Sequence, residues 1–323
     1  MSSPPSSSAP ASVDPQVALA LAALVGGAIA MGVSPVFVRF AEVGPFASAF
    51  WRVALSLPLL AVWARLELRD GKPAAPWNRA TVIAGAVFAG DLFFWHLGIL
   101  NTTIANATFL ATMAPLWVML GSGALIREPV TRSMVIGLGL CLLGAGALVG
   151  SSLGFAPERL AGDAYGFLTS IFFGGYFLAM RFARRGEGAS TPGLLLYRST
   201  IITAIVLFFV ALALDDGFLP NSWKGVAALV AIAFFSQTAG QGLLTFALGH
   251  LSAGFSALVI FLEAIAAAAA GWLLLGEALS GLQALGGLVI LAGIFVARPR
   301  SRMRARTSAS QTGSLGTPQA SGD

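Results

Sequence analysis

The sequence predicts an all-α integral membrane protein of ten transmembrane helices, arranged as two inverted five-helix repeats. Three observations carry that reading. The 323 residues are 57% hydrophobic and only 10% charged, with a mean hydropathy of +0.83, against roughly 25% charged in an average soluble domain. The apolar residues fall in long continuous runs that suit the roughly 20 residues of a bilayer-crossing helix, and not in the short alternating stretches of a barrel. The second half also repeats the first at a single offset, the 149 residues that separate Glu128 from Glu277. Thr131 then matches Ser280, Gly137 matches Gly286 and Gly144 matches Gly293.

Taken in order, the first unit (17–151) holds apolar runs at 17–38, 46–66, 79–99, 103–126 and 132–151. The second unit (162–297) holds runs at 162–182, 192–214, 223–247, 251–275 and 279–297. Five spans is an odd number, so the second unit enters the membrane upside down relative to the first. Residues 1–16 are Ser-, Pro- and Ala-rich without Lys or Arg, which reads as a disordered tail and lacks the basic start of a signal peptide. Residues 298–323, with Arg298, Arg300, Arg302, Arg304 and Arg306, read as a basic disordered tail at an anionic lipid surface.

The net charge of +5 is carried by short connectors and the C-terminal tail, so it speaks of topology and not of nucleic acid. With both termini in the cytoplasm, Arg65, Arg69, Lys72, Arg79, Arg127, Arg132, Arg181, Arg184, Arg185 and the tail arginines lie inside. Arg39, Arg52, Arg159 and Lys224 remain outside, and Arg198 falls within the seventh span. The single cysteine, Cys141, excludes an intrachain disulfide and a thiolate metal site. No HExxH, GxSxG or Walker A pattern occurs, and His96 and His250 are the only histidines. The reading is therefore of a protein that is not an enzyme, with no cofactor, no metal and no nucleotide site.

Charged groups deep in a bilayer cost at least about 2.5 kcal/mol, so those present face a cavity or a partner. Asp91 lies midway along the third run, with Trp95 one turn further on the same face. Both are assigned to a solute path; a structural pair between Asp91 and an arginine is the alternative. Arg52 and Arg198 occupy similar places near the starts of spans two and seven, where each could hold a carboxylate or an anionic substrate group, or snorkel to the headgroups. Glu263 stands in span nine, and Gln237 and Gln241 sit one turn apart on span eight, as solute contacts or as bonds between helices. Pro115 breaks span four, as a hinge would, whereas its repeat partner is Ala264. Small-residue faces on span five (Gly137, Gly139, Gly144, Gly146, Gly150) and span ten (Gly286, Gly287, Gly293) read as helix packing, within the chain or between the copies of a homodimer.

These residues resemble the drug/metabolite transporter superfamily, specifically its ten-helix branch of EamA-type permeases. Leu262-Glu263 followed by Gly271-Trp272-Leu273-Leu274-Leu275-Gly276-Glu277 is similar to that family's signature, with Ala264 where a Pro is usual. Ala114-Pro115 and Glu128 resemble the first-half version, Arg52 and Arg198 resemble the arginine early in the second helix of each repeat, and Arg39 resembles the basic residue that ends the first helix. The resemblance implies a secondary carrier of the bacterial cytoplasmic membrane that exports amino acids, related metabolites or toxic amphiphiles by alternating access. Its expected partners are a small-molecule solute and membrane lipid; Asp91 and Glu263 add protons as coupling partners, with an uncoupled, facilitative carrier as the alternative. A lipid or lipid-linked-precursor flippase and a non-transporting membrane subunit are the rival readings. The resemblance further implies a central cavity between the repeats, with spans five and ten peripheral.

Overall fold

The computed structural model describes residues 14–69, 75–149, 157–186, 188–276 and 279–298. Most of the N-terminal tail, Lys72, Gly150, Glu277 and the C-terminal arginines after Arg298 lie outside the described residues. Among the described residues every regular element is a helix. Nine stretches are long and apolar enough to cross a membrane: Pro15–Val38, Pro45–Arg69, Arg79–Asn101, Asn106–Leu125, Arg132–Val149, Pro157–Ala183, Pro192–Leu214, Trp223–Ala247 and Ala253–Leu274. Gly281–Ala297 is a shorter apolar helix; its 17 residues rise about 25 Å. Together they match the ten expected runs and are numbered one to ten in chain order. Span one starts at Pro15, inside the expected tail, because the Asp14 carboxylate accepts from the Gln16 N–H at 2.9 Å and Pro15 suits a first turn.

Spans two and seven tie the two repeats together at both ends. Both begin with a first-turn proline, Pro45 and Pro192, and neither receives a capping bond from its own N-cap residue, Gly44 or Thr191. Each is capped instead by the carboxylate at the far end of the other. Glu67 accepts from the N–H of Gly193 at 3.0 Å and of Leu194 at 3.2 Å. Asp215, which follows span seven, accepts from the N–H of Ala47 at 2.6 Å. These N–H groups would otherwise be orphaned at a helix start, where the positive end of the helix dipole also favours an anion. At the Asp215 end, Gly44 N–H donates to Gly217 O (2.8 Å) and Trp51 Nε1–H to Phe218 O (2.7 Å). A Cβ on Gly44 would collide with the Asp215 carboxylate, so the close approach requires glycine there. Burial pushes the Asp215 carboxyl above the usual carboxylate range, against the pull of its backbone N–H donors.

Spans five and ten form a second seam. A Cβ added to Gly137 would lie 2.6 Å from Gly293 O, and one on Gly293 would lie 2.7 Å from Gly137 O. Gly144 and Gly286 oppose each other in the same way, at 2.6 Å in both directions. The contacts run antiparallel, and the repeat offset exchanges one pair for the other, as inverted repeats related by a two-fold axis require. Cys141 is buried between them with its Sγ 3.7 Å from Ile290 O. The glycine faces proposed as a homodimer contact are thus occupied within one chain at these four positions, while Gly139 faces open space.

Span four is broken where Pro115 demands it: helix Ile104–Ala111 ends and helix Ala114–Leu125 begins. Span nine breaks at the matching place, between helices Ala253–Val259 and Leu262–Leu275, although Ala264 replaces the proline. Both breaks are tightened by i→i−3 bonds, Met113 N–H to Leu110 O at 3.1 Å and Glu263 N–H to Ile260 O at 2.8 Å. The interruption therefore occurs in both repeats, although only one of them carries the proline. Close packing sets the second break, since span one passes so near that a Cβ on Gly32 would strike the Glu263 carbonyl and Ala266.

Two predictions follow from these seams. Glu67→Ala and Asp215→Ala should each lower stability by about 0.5–2 kcal/mol, the usual loss for a cap, read as thermal unfolding of the purified chain. Asp215→Asn, which keeps an acceptor oxygen and removes the charge that burial disfavours, should cost less than Asp215→Ala. Gly286→Ile should force spans five and ten apart and make Cys141 reactive towards a maleimide; an unreactive thiol in that variant would contradict the seam.

Candidate functional site

Arg52 sits in the last turn of helix Pro45–Ala54, just before span two breaks and resumes as Leu57–Arg69. Its guanidinium lies 5.7 Å from the centre of the Phe88 ring on span three, a cation–π contact. The buried Nε finds no hydrogen-bond partner. One turn beyond Phe88 is Asp91, 7% exposed. Across the centre stands half-buried Glu263, in the first turn of the helix that follows the break in span nine, where the helix dipole favours a carboxylate. The charges of Asp91 and Glu263 both act on Arg52, yet among the described residues no ion pair within 4.0 Å joins them and neither carboxylate accepts a hydrogen bond. One cation and two anions thus share a small volume without closing on one another.

The walls are aromatic and polar. Tyr176 on span six stacks on Phe88 with centroids 4.6 Å apart, and its buried hydroxyl has no partner of full hydrogen-bond geometry. It faces Thr245 on span eight, whose hydroxyl donates to Gln241 O at 2.6 Å. Span eight carries a π-helical stretch, Ala233–Gln241, in which the Thr238 hydroxyl bonds Ala233 O five residues back at 3.0 Å. Such irregular turns occur often at functional sites. It presents two fully buried amides: Gln237 Nε2 donates to Thr200 Oγ1 at 3.2 Å and Gln241 Nε2 to Met31 Sδ at 3.3 Å. The Oε1 atoms of both remain unpartnered. A buried acceptor without a donor costs about 1–3 kcal/mol, so these atoms are positions where an incoming donor is favoured.

The structure thus brings Arg52, Asp91 and Glu263 together, and places Gln241 next to Met31 and Thr245 on the same inner side. Gln237 points to span seven. Trp95 is half-buried one turn past Asp91, edge-on to His96 at 4.9 Å. His96 itself is buried, with Nδ1 2.6 Å from Leu92 O. Pro115 is buried at the start of the second half of span four. Arg198 does not join the cluster: its Nη1 donates to Ala75 O at 2.7 Å and its guanidinium lies 4.9 Å from the Trp77 ring. Of the two alternatives left open for Arg198, its contacts match snorkelling, because the connector before span three offers it a carbonyl and an aromatic face. Tyr176, Phe88 and Thr245 were not singled out from the sequence. The available signal was a tyrosine in mid-span, whose hydroxyl needs a polar neighbour.

An all-helical bundle of two interlocked units with charges gathered at its centre defines a multi-pass membrane transporter. The model of the EamA-like transporter family matches residues 18–150 and again 160–298, and the chain belongs to that family. The pseudopaline exporter CntI of Pseudomonas aeruginosa is 26% identical over 220 residues, covering 68% of this chain and 75% of that protein. A protein of Archaeoglobus fulgidus described as an uncharacterized transporter is 24% identical over 270 residues, covering 79% of this chain and 88% of its own. A crystal structure of 18% identity superposes with a TM-score of 0.74 over 87% of this chain and 96% of the other, a likeness of fold.

If the charges at the centre act as a group, their removal is not additive. Arg52→Gln and Asp91→Asn should each destabilise, and the double variant should recover part of the loss, with a coupling of about 0.5–3 kcal/mol in a double-mutant cycle. The same cycle with Arg198→Gln in place of Arg52→Gln should show no coupling.

Proposed function

We propose that the chain is a secondary carrier that exports small metabolites, such as amino acids or toxic amphiphiles, across a bacterial cytoplasmic membrane by alternating access. The observation that carries this reading is the unpaired triad of Arg52, Asp91 and Glu263 within the bundle. A guanidinium suits a carboxylate in the solute, and a carboxylate suits an ammonium. The Phe88–Tyr176 stack offers an apolar surface beside them. The name of the pseudopaline exporter supports outward movement. The positive-inside rule supports a cytoplasmic location for the face that carries Arg65, Arg69, Arg127, Arg132, Arg181, Arg184 and Arg185, and for both termini.

Asp91 and Glu263 are also the groups through which protons could be exchanged for solute, since a carboxylate that gives up Arg52 to a substrate can be neutralised by protonation. The test is flux from liposomes containing the purified chain, loaded with a panel of amino acids, amino-acid analogues and toxic amphiphiles. The parent should move at least one of them, Arg52→Gln and Asp91→Asn should reduce that flux at least tenfold, and an imposed pH gradient should accelerate the parent. If nothing in a broad panel moves, the exporter reading fails. If Asp91→Asn keeps both its flux and the parent's response to the gradient, Asp91 is not the coupling group.

A further inference from the structure

On the arginine-rich face, a cavity of about 590 Å³ opens between the end of span two, the start of span seven and the ends of spans six and eight. Trp63, Leu66, Pro192 and Phe246 form its apolar walls, and Arg184, Thr191, Glu67 and His250 its polar ones. Its size falls within the roughly 300–1,000 Å³ of small-molecule sites.

Its polar groups are unequally satisfied. Glu67 already accepts two backbone N–H groups in capping span seven. That substitution has a by-product: Thr191 is the N-cap residue, its side chain makes no cap bond, and its buried Oγ1 has no partner. Of the neighbouring arginines, Arg181 and Arg185 reach the Glu128 carboxylate at 2.7 and 3.5 Å. Among the described residues Arg184 has no such anion. It donates to two carbonyl oxygens, Thr245 O at 3.2 Å and Ser190 O, which leaves its charge unpaired. Burial, with Arg181 close by, lowers its pKa, while the Glu67 carboxylate opposes the shift without pairing. A half-buried, unpaired guanidinium beside a free hydroxyl, on the wall of an aromatic cavity, matches an anion with an apolar body.

We propose that this cavity is a second binding site, for amphipathic organic anions, held by Arg184 and Thr191 against Trp63 and Phe246. It lies apart from the Arg52 cluster. The two are linked by Thr245, whose carbonyl receives Arg184 while its hydroxyl faces Tyr176. A role as a loading site for export rests on the proposed function; the binding does not. The occupant is either a soluble aromatic carboxylate or an anionic lipid headgroup, which share the same charge and apolar body.

The test uses the full chain in phosphatidylcholine nanodiscs, with indole-3-acetate as probe and the neutral indole-3-acetamide as its isostere, read by calorimetry. The acetate should bind at least tenfold tighter than the acetamide. Arg184→Gln should weaken it at least tenfold and Thr191→Val about threefold, whereas Arg198→Gln, which alters an arginine outside both sites, should leave it unchanged. Thr191→Val removes a hydroxyl that makes no bond, so it should fold and melt like the parent and keeps the test valid if Arg184→Gln does not fold. Adding phosphatidylglycerol to the nanodiscs identifies the source: weaker probe binding assigns the site to a headgroup, unchanged binding to soluble anions, and either agrees with the proposal. Equal binding of acid and amide, parent-like binding by Thr191→Val, or loss of binding in Arg198→Gln would overturn it. None of these outcomes depends on whether solute is carried across the membrane.

Discussion

The exchange of caps between spans two and seven is the constraint on which the rest of the structure depends. A helix start buried in a bundle leaves N–H groups that neither water nor its own residues can satisfy, and here each repeat supplies the missing acceptor to the other. The two helices are pinned at both ends, so their register is fixed across the full depth of the molecule. Fixing that register fixes everything attached to it. Arg52 is carried to Phe88 by span two, Glu67 caps span seven in place of Thr191, and the end of span six with its connector is set where Arg181 and Arg185 can meet Glu128.

Between its pinned ends span two breaks after Arg52, and the other irregular backbone lies in spans four, eight and nine. Spans four and nine are interrupted at matching places, span eight carries a π-helical stretch, and two of the polar side chains at the centre stand beside these interruptions. Glu263 follows one break, and Gln241 ends the π segment. Backbone that departs from the α-helix inside a membrane is tolerated where neighbouring groups or a cavity satisfy it. The molecule thus combines fixed contacts, built from reciprocal caps and glycine approaches, with interrupted helices that bear part of the polar chemistry.

How far this was legible in the sequence depended on whether a feature was local or relational. The helical runs, the inversion and the glycine faces were visible because hydrophobic length, an odd span count and repeat spacing are properties of the chain itself, whereas the pairing of span five with span ten is relational. Pro115 announced its break, but the break after Ile260 has no proline and arises from the passage of Gly32 against Glu263. Arg52 and Arg198 look alike in sequence, and only the neighbours that folding provides, Phe88 for one and Ala75 with Trp77 for the other, separate them. Glu67 and Asp215 read as ordinary charges at span ends. Their partners lie more than a hundred residues away, at helix starts whose proximity no local pattern reveals.

The glycine seam between spans five and ten also has a meaning in time. Span five is complete at Val149, but the helix that covers it begins at Gly281, roughly 130 residues later, which is on the order of ten seconds of synthesis at about 5–20 residues per second. During that interval Gly137 and Gly144 have only lipid or the insertion machinery against them. Closure of the seam is then the last act of assembly, and a ribosome that stops short of the tenth span releases a chain whose first repeat is fully made yet still unsealed.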